Sequence, residues 1–298
     1  MKKILIFKGG PGEGGSTFSS KNLHDVLSAS LYRFGFKVSF ISARDLREGP
    51  TLAPNEVEIL VLGGGRFTEV KRAIGERGIE NIENYVYEGG KYLGVCMGSY
   101  AAFPDIEFEG KDIRRGNGLK FFNATARGSL SIASPYDATG NSATIINVHH
   151  MRNKIQFPAL YWGGNGMDEQ ELLTIGAQPL SKITLPKGPE KVMSASIDVG
   201  INGGKAFACA YHLEAYQWTV IWNWLKGLPG ESECYTRLYH EMMQHPDKAY
   251  MMASALLLDD INLVPEHSFA AQIYPEMRDQ TSMRYESQPF HHGRLVIF

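Results

Sequence analysis

Apolar and polar positions alternate in blocks through the first hundred residues, and the block lengths predict strands and helices in turn. Residues 4–7, 37–41 and 58–62 are short apolar runs of strand length, and Ser16 or Thr17 caps a helix through about residue 33 whose Leu23, Val26, Leu27 and Leu31 share one face. Residues 82–87 are helical until Gly89 and Gly90 stop them. This alternation predicts a parallel sheet that binds its ligands at the carboxyl ends of the strands. From about 103 to 191 the pattern loosens into short strands and turns rich in Gly, Asn, Ser and Pro, which predicts a small sheet and loops over the edge of the site. Residues 205–214 read as a strand, and 216–225 as a helix with Trp218, Trp222 and Trp224 in the core. Residues 231–258 read as one helix or two broken at Pro246, with Leu238, Met242, Met251, Met252, Leu256 and Leu257 available for burial. The last forty residues, with Pro265, Pro275 and Pro289, are irregular, and their apolar end at 295–298 is expected to pair or pack.

The candidate chemistry centres on residues 91–99, an apolar strand that stops at a small-residue turn and presents Cys96. Gly94 and Gly98 flank the thiol, and a side chain at either would crowd the strained backbone that lifts a nucleophile above a sheet. A helix starting at Met97 or Gly98 favours the thiolate. A cysteine without such flanks is more often an inert core residue. His212 closes the strand of residues 205–214, and Glu214 falls on the same side because strand side chains repeat every second residue. His212 then takes the thiol proton, while Glu214 holds the imidazole tautomer and stabilises its charged form. Tyr161 and Trp162, followed by Gly163 and Gly164, read equally as a substrate-facing loop or as core aromatics.

Several of these pieces stand in a telling order. The glycine-rich turn at 9–17, Gly63 to Gly65 after Leu62, Cys96 between its glycines with Tyr100 beyond, the Phe121, Phe122, Asn123 run, Tyr161 to Gly164, and His212 with Glu214 resemble class I glutamine amidotransferase-like proteins. The narrower likeness is to the amidotransferase-like domain at the N-terminus of large biotin-protein ligases and in stand-alone proteins. It covers about residues 1–225. The resemblance implies an α/β fold, a flavodoxin-like three-layer sandwich with a mainly parallel sheet. It also implies a Cys96, His212, Glu214 triad and an oxyanion hole of backbone N–H groups from Gly64, Gly65 and Met97. Substrate contacts are expected from Tyr100, Tyr161, Trp162, Gly163 and Gly164, with no cofactor. The division expected is an amidotransferase-like domain at 1–228 with a helical and irregular C-terminal extension at 229–298 packed on it. Glutamine-hydrolysing members usually carry glutamine four residues after the nucleophile; Tyr100 stands there and counts against free glutamine as substrate. Nothing resembles the glycine- and arginine-rich adenylate loop of a biotin ligase, so biotinylation by this chain alone is not expected.

Composition narrows the setting. The chain has 298 residues, 43% hydrophobic, enough for a large α/β core. A net charge of -2 gives no electrostatic reason to expect a nucleic-acid partner. Three cysteines make no disulfide framework and favour reduced thiols in the cytoplasm. The basic start is followed by an apolar run too short for a signal peptide, and no stretch reaches transmembrane length, so no membrane partner is expected.

Other signals fail on inspection. Residues 10–15 match a dinucleotide-binding glycine pattern, but only Asp45, beyond the apparent end of the second strand, could serve a ribose. The same stretch approximates a phosphate-binding loop with Ser16 in place of the lysine. His240 and His245 are five apart, off one helical face, and the pairs His149–His150 and His291–His292 diverge, so no metal is expected. The function expected is a cysteine-dependent amidohydrolase or amidotransferase-like enzyme acting on a small-molecule amide or peptide-like substrate. The alternative is a non-catalytic small-molecule-binding or regulatory module with the same fold.

Overall fold

The computed structural model describes residues 2–10, 12–31, 34–49, 52–114, 116, 118–130, 132, 135–137, 140–186, 188–215, 232–245 and 247–263. The helix expected at 216–225 with its tryptophans, Pro246, and the apolar end at 295–298 lie outside them.

The apolar runs form β1 (Lys3–Phe7), β2 (Lys37–Ile41), β3 (Val57–Leu62) and β4 (Lys91–Val95), joined by β12 (Gly204–Cys209). They are parallel, in the order β2-β1-β3-β4-β12. That is the 2-1-3-4-5 order of a flavodoxin-like sheet, in which each crossover carries a helix across one face. Alternate residues serve opposite faces. Ile59 and Val61 of β3 pack with Leu23 and Leu27 of α1 (Thr17–Leu31), whereas Leu60 and Leu62 pack with Ile74 and Ile82 of α3 (Phe67–Tyr87). Three layers result.

Two helices were hidden from the sequence pattern. α2 (Ala43–Glu48) starts at a capping box between Ser42 and Asp45. α3 is much longer than the expected 82–87, and bends at Gly75, whose φ is 66°. Gly75 and Gly78 break the sequence signal.

The region expected to hold short strands contributes more than a cover. β8 (Thr144–His150), β9 (Ile155–Tyr161), β10 (Gln178–Thr184) and β11 (Glu190–Val199) extend the main sheet to nine strands, all antiparallel from β12 outward in the order β12-β11-β10-β8-β9. The sheet is therefore parallel in one half and antiparallel in the other. A separate small sheet, β6-β5-β7, forms from β5 (Asp105–Phe108), β6 (Lys111–Arg114) and β7 (Thr125–Gly128). The short α4 (Met97–Ala101) follows β4, and α5 (Glu169–Thr174) precedes β10.

Beyond residue 231 two helices occur, α6 (Ser232–Met242) and α7 (Asp247–Asp260), separated about where the break was expected. Met252, Leu256 and Leu257 of α7 are buried in the same cluster as β1 and α1, and Leu238 and Met242 of α6 are buried with Leu160 of β9. Among the described residues no helix is long and apolar enough to cross a membrane.

Candidate active site

The site forms where β3, β4 and β12 end side by side. β4 stops at Val95, α4 begins at Met97, and Cys96 makes the corner with φ 54° and ψ -107°. A positive φ at a residue with a side chain is strained by roughly 1–3 kcal/mol. The neighbours hold it there: Cys96 N–H donates to the Cys209 carbonyl at 2.8 Å and Gly98 N–H to the Gly63 carbonyl at 3.1 Å. Any Cβ on Gly98 would lie 2.0 Å from the Leu62 carbonyl oxygen, and one on Gly94 would lie 2.1 Å from that of Gly98. Only glycine fits either place.

His212 and Glu214 meet as expected, but not by strand alternation. β12 ends at Cys209; His212 forms an isolated bridge with Leu160, donating its N–H to the Leu160 carbonyl at 2.8 Å, and Glu214 lies in the turn that follows. Within that turn the His212 Nδ1 is 2.9 Å from Glu214 Oε1, with both side chains buried. Ser19 of α1 completes the support. Its hydroxyl donates to the same Glu214 oxygen at 2.6 Å and accepts from Gly64 N–H at 2.9 Å. A relay thus runs from the Gly64 amide through Ser19 and Glu214 to the imidazole. Ser19 was not singled out in the sequence, and with its main partner 195 residues away no local signal marks it.

Electrostatics follow from this packing. Burial works against a charged His212, but the negative charges of Cys96 and Glu214 and the hydrogen bond to Glu214 outweigh it and hold its pKa well above the usual 6.5. Nε2 is nonetheless buried and makes no hydrogen bond of ordinary geometry. The Cys96 thiol instead points to the Trp162 carbonyl, with the sulfur 3.5 Å away. The other buried thiol, Cys209, is fully enclosed, and burial pushes its pKa far up.

The loops on either side supply backbone groups. Ser16 N–H donates to the Gly64 carbonyl at 2.9 Å and Arg66 N–H to the Gly14 carbonyl at 2.7 Å, lacing the first glycine-rich turn to the turn after β3. Of the three expected oxyanion donors, Gly64 N–H is taken by Ser19. The N–H groups of Gly65 and Met97 have no acceptor among the described residues.

A cleft of about 270 Å³ opens beside Cys96, walled by Met97, Tyr100, Ile106, Phe108 and Tyr136. Of the five residues expected to touch substrate, only Tyr100 lines it. Tyr161 donates its hydroxyl to the Gly164 carbonyl at 2.6 Å and accepts from Leu130 N–H at 2.7 Å, and Trp162 Nε1 donates to the Asp137 carbonyl at 2.9 Å. Gly164 is pressed against Ala210, where a Cβ would lie 1.9 Å from the carbonyl oxygen, and Gly163 accepts from the Tyr100 hydroxyl at 3.1 Å. These four frame the site instead of lining it. Ile106, Phe108 and Tyr136, which do line it, come from β5 and a loop that carry no catalytic signature. Among the described residues no three His, Cys, Asp or Glu side chains cluster as a metal site.

Residues 2–276 match the family described as biotin-protein ligase, N terminal, well past the residue 225 to which the resemblance was traced. A protein of Chlamydia muridarum with no assigned function is 26% identical over 208 residues, spanning 67% of this chain and 77% of that one. A biotin-protein ligase of Schizosaccharomyces pombe is 27% identical over 136 residues, which are 44% of this chain but 21% of the ligase. Among solved structures, a glutamine amidotransferase of Thermotoga maritima is similar over 87% of this chain and 97% of its own, with a TM-score of 0.48 and 13% identity.

Proposed function

The chain belongs to the biotin-protein ligase N-terminal family, of glutamine amidotransferase-like type, and from that premise we propose that it is a cysteine-dependent amidohydrolase or amidotransferase-like enzyme with Cys96 as nucleophile. The observation that carries this reading is the buried Gly64, Ser19, Glu214, His212 relay ending beside a thiol on a strained turn. Such a chain orients an imidazole and stabilises its charge.

In the reaction, the sulfur leaves the Trp162 carbonyl, turns to His212 and gives its proton to Nε2. The thiolate attacks the carbonyl carbon of the bound amide, and the carbonyl π pair moves to oxygen. Gly65 and Met97 N–H groups donate to that oxyanion, the two donors left uncommitted at the corner. As the tetrahedral centre collapses, the C–N bond breaks and the departing nitrogen takes the proton from His212, leaving a thioester on Cys96. Water or an amine acceptor gives a proton back to His212, adds to the thioester carbon and releases the acyl group; the sulfur leaves with the proton. A cytoplasmic setting, where thiols stay reduced, suits this chemistry.

The second reading, a binding or regulatory module without turnover, draws on the 3.5 Å contact that turns the thiol to Trp162. Iodoacetamide labelling with peptide mapping separates the two. Rapid alkylation of Cys96 at neutral pH, lost in His212→Ala, supports the enzyme; labelling of Cys96 no faster than that of Cys209 leaves the binding module.

A further inference from the structure

The wall of the cleft specifies what the nucleophile meets. Phe108 packs edge-on against Tyr136 with ring centroids 5.1 Å apart, and tilts against Tyr100 at 5.9 Å. Tyr100 is buried and its hydroxyl is engaged by the Gly163 carbonyl, so what it offers the cleft is ring surface. Ile106 and Met97 complete an apolar wall that reaches Cys96. Thr68 and Arg66 are the polar side chains of the lining besides the thiol and the two tyrosines. Among the described lining residues there is no carboxylate, and the Arg66 guanidinium at the rim faces Glu69 at 3.3 Å. An amino acid such as glutamine brings an α-ammonium group that would enter this cleft unpaired, and a buried unpaired charge is costly. A ring or branched apolar group would instead gain from leaving water and from edge or offset contact with three aromatic neighbours.

We infer that the cleft is an acyl-side specificity pocket, and that the substrate is an amide or ester whose acyl part carries an aromatic or bulky apolar group, set against Phe108, Tyr136 and the ring of Tyr100. This deepens the proposed function and rests on Cys96 being the nucleophile. About 270 Å³ beside the sulfur holds one ring with a short linker to the reacting carbon. The attacked carbonyl then lies over the Gly65 and Met97 amides with the ring pointing away from the His212 side.

The test uses the whole protein and three p-nitrophenyl esters with one leaving group: the acetate, the 4-carbamoylbutyrate, which carries a primary amide like that of glutamine, and the 3-phenylpropionate. Release of p-nitrophenol gives the acylation rate, and intact mass with peptide mapping locates the acyl group. The phenylpropionate is expected to acylate Cys96 about tenfold or more faster than the other two, the scale that hydrophobic pockets reach. That ratio is expected to fall several-fold in Phe108→Ala and, independently, in Tyr136→Ala on the exposed rim, should the first variant not fold. Acyl-Cys96 formed at equal rates from all three esters, or fastest from the carbamoylbutyrate, overturns the aromatic pocket while leaving Cys96 as nucleophile. No adduct on Cys96 from any ester overturns the nucleophile reading and this inference with it.

Discussion

Two buried histidine–carboxylate pairs sit on one face of the same sheet at the same separation. His212 Nδ1 is 2.9 Å from Glu214 and His150 Nε2 is 2.9 Å from Asp260, with all four side chains at 8% exposure or less. What differs is the rest of each neighbourhood. His150 has its other ring nitrogen engaged by Asn153 N–H at 3.3 Å, and Asp260 takes a second partner in Arg152 at 3.0 Å. That pair is closed, and it ties the end of α7 to β8. His212 keeps Nε2 uncommitted, next to a thiol that itself borders an open cleft. A buried histidine and acid therefore do not mark chemistry by themselves; the role proposed for His212 rests on the leftover nitrogen and the thiol beside it.

The comparison breaks first by removing each imidazole. His212→Ala is expected to lower ester turnover by about 10²–10⁴-fold, the usual contribution of a positioned acid–base. His150→Ala is expected to leave turnover within about twofold and to lower unfolding free energy by about 3 kcal/mol, since it strands most of a buried carboxylate. Chemical denaturation and steady-state kinetics on both variants check this; a large rate loss in His150→Ala would erase the distinction.

Glu214→Gln sharpens it further. The variant keeps the shape but removes one of the two negative charges that raise the His212 pKa. The rate is expected to fall by roughly 10²-fold, the low end for acid–base catalysis. The alkaline limb of the pH–rate profile moves to lower pH, because the imidazolium is lost sooner. The stability linkage has the same sign. A histidine whose pKa is raised on folding stabilises fully below its unfolded value and loses that contribution as pH rises through the folded one, so the wild type loses this term at higher pH than the variant.

The smallest effect is expected from Ser19→Ala, which removes one hydrogen bond to a carboxylate: about tenfold in rate, or ~1.4 kcal/mol. The pH profile should move in the same direction as in Glu214→Gln. A rate loss with an unmoved profile would make Ser19 a packing residue and sever it from the relay.

The parallel strands were legible because a strand buried on both faces reads as an apolar run, and Cys96 because its corner admits only glycine at positions 94 and 98. His212 and Glu214 were found from their spacing, though a turn, and not a strand, brings them together. The antiparallel half was harder. Thr144–His150 and Gln178–Thr184 mix polar and apolar positions, and Pro158 and Pro179 sit inside strands where turn residues are expected. Ser19 looked like one more polar position in a capped helix. The aromatic wall escaped because Phe108 ends a four-residue strand and Tyr136 lies in a loop.

The relay also sets an order in time. Ser19 and Glu214 are 195 residues apart, so the nascent chain presents the helix of Ser19 and then the elbow of Cys96 well before the imidazole and its acid are synthesised. From Cys96 to His212 synthesis takes roughly 6–23 s at about 5–20 residues/s. Throughout it the thiol is present without the imidazole proposed as its base, which arrives only with the turn after β12. A ribosome stalled before residue 212 would therefore hold a thiol that iodoacetamide modifies slowly, and release of the full chain, which also brings the Cys209 carbonyl to the Cys96 corner, is expected to speed the labelling.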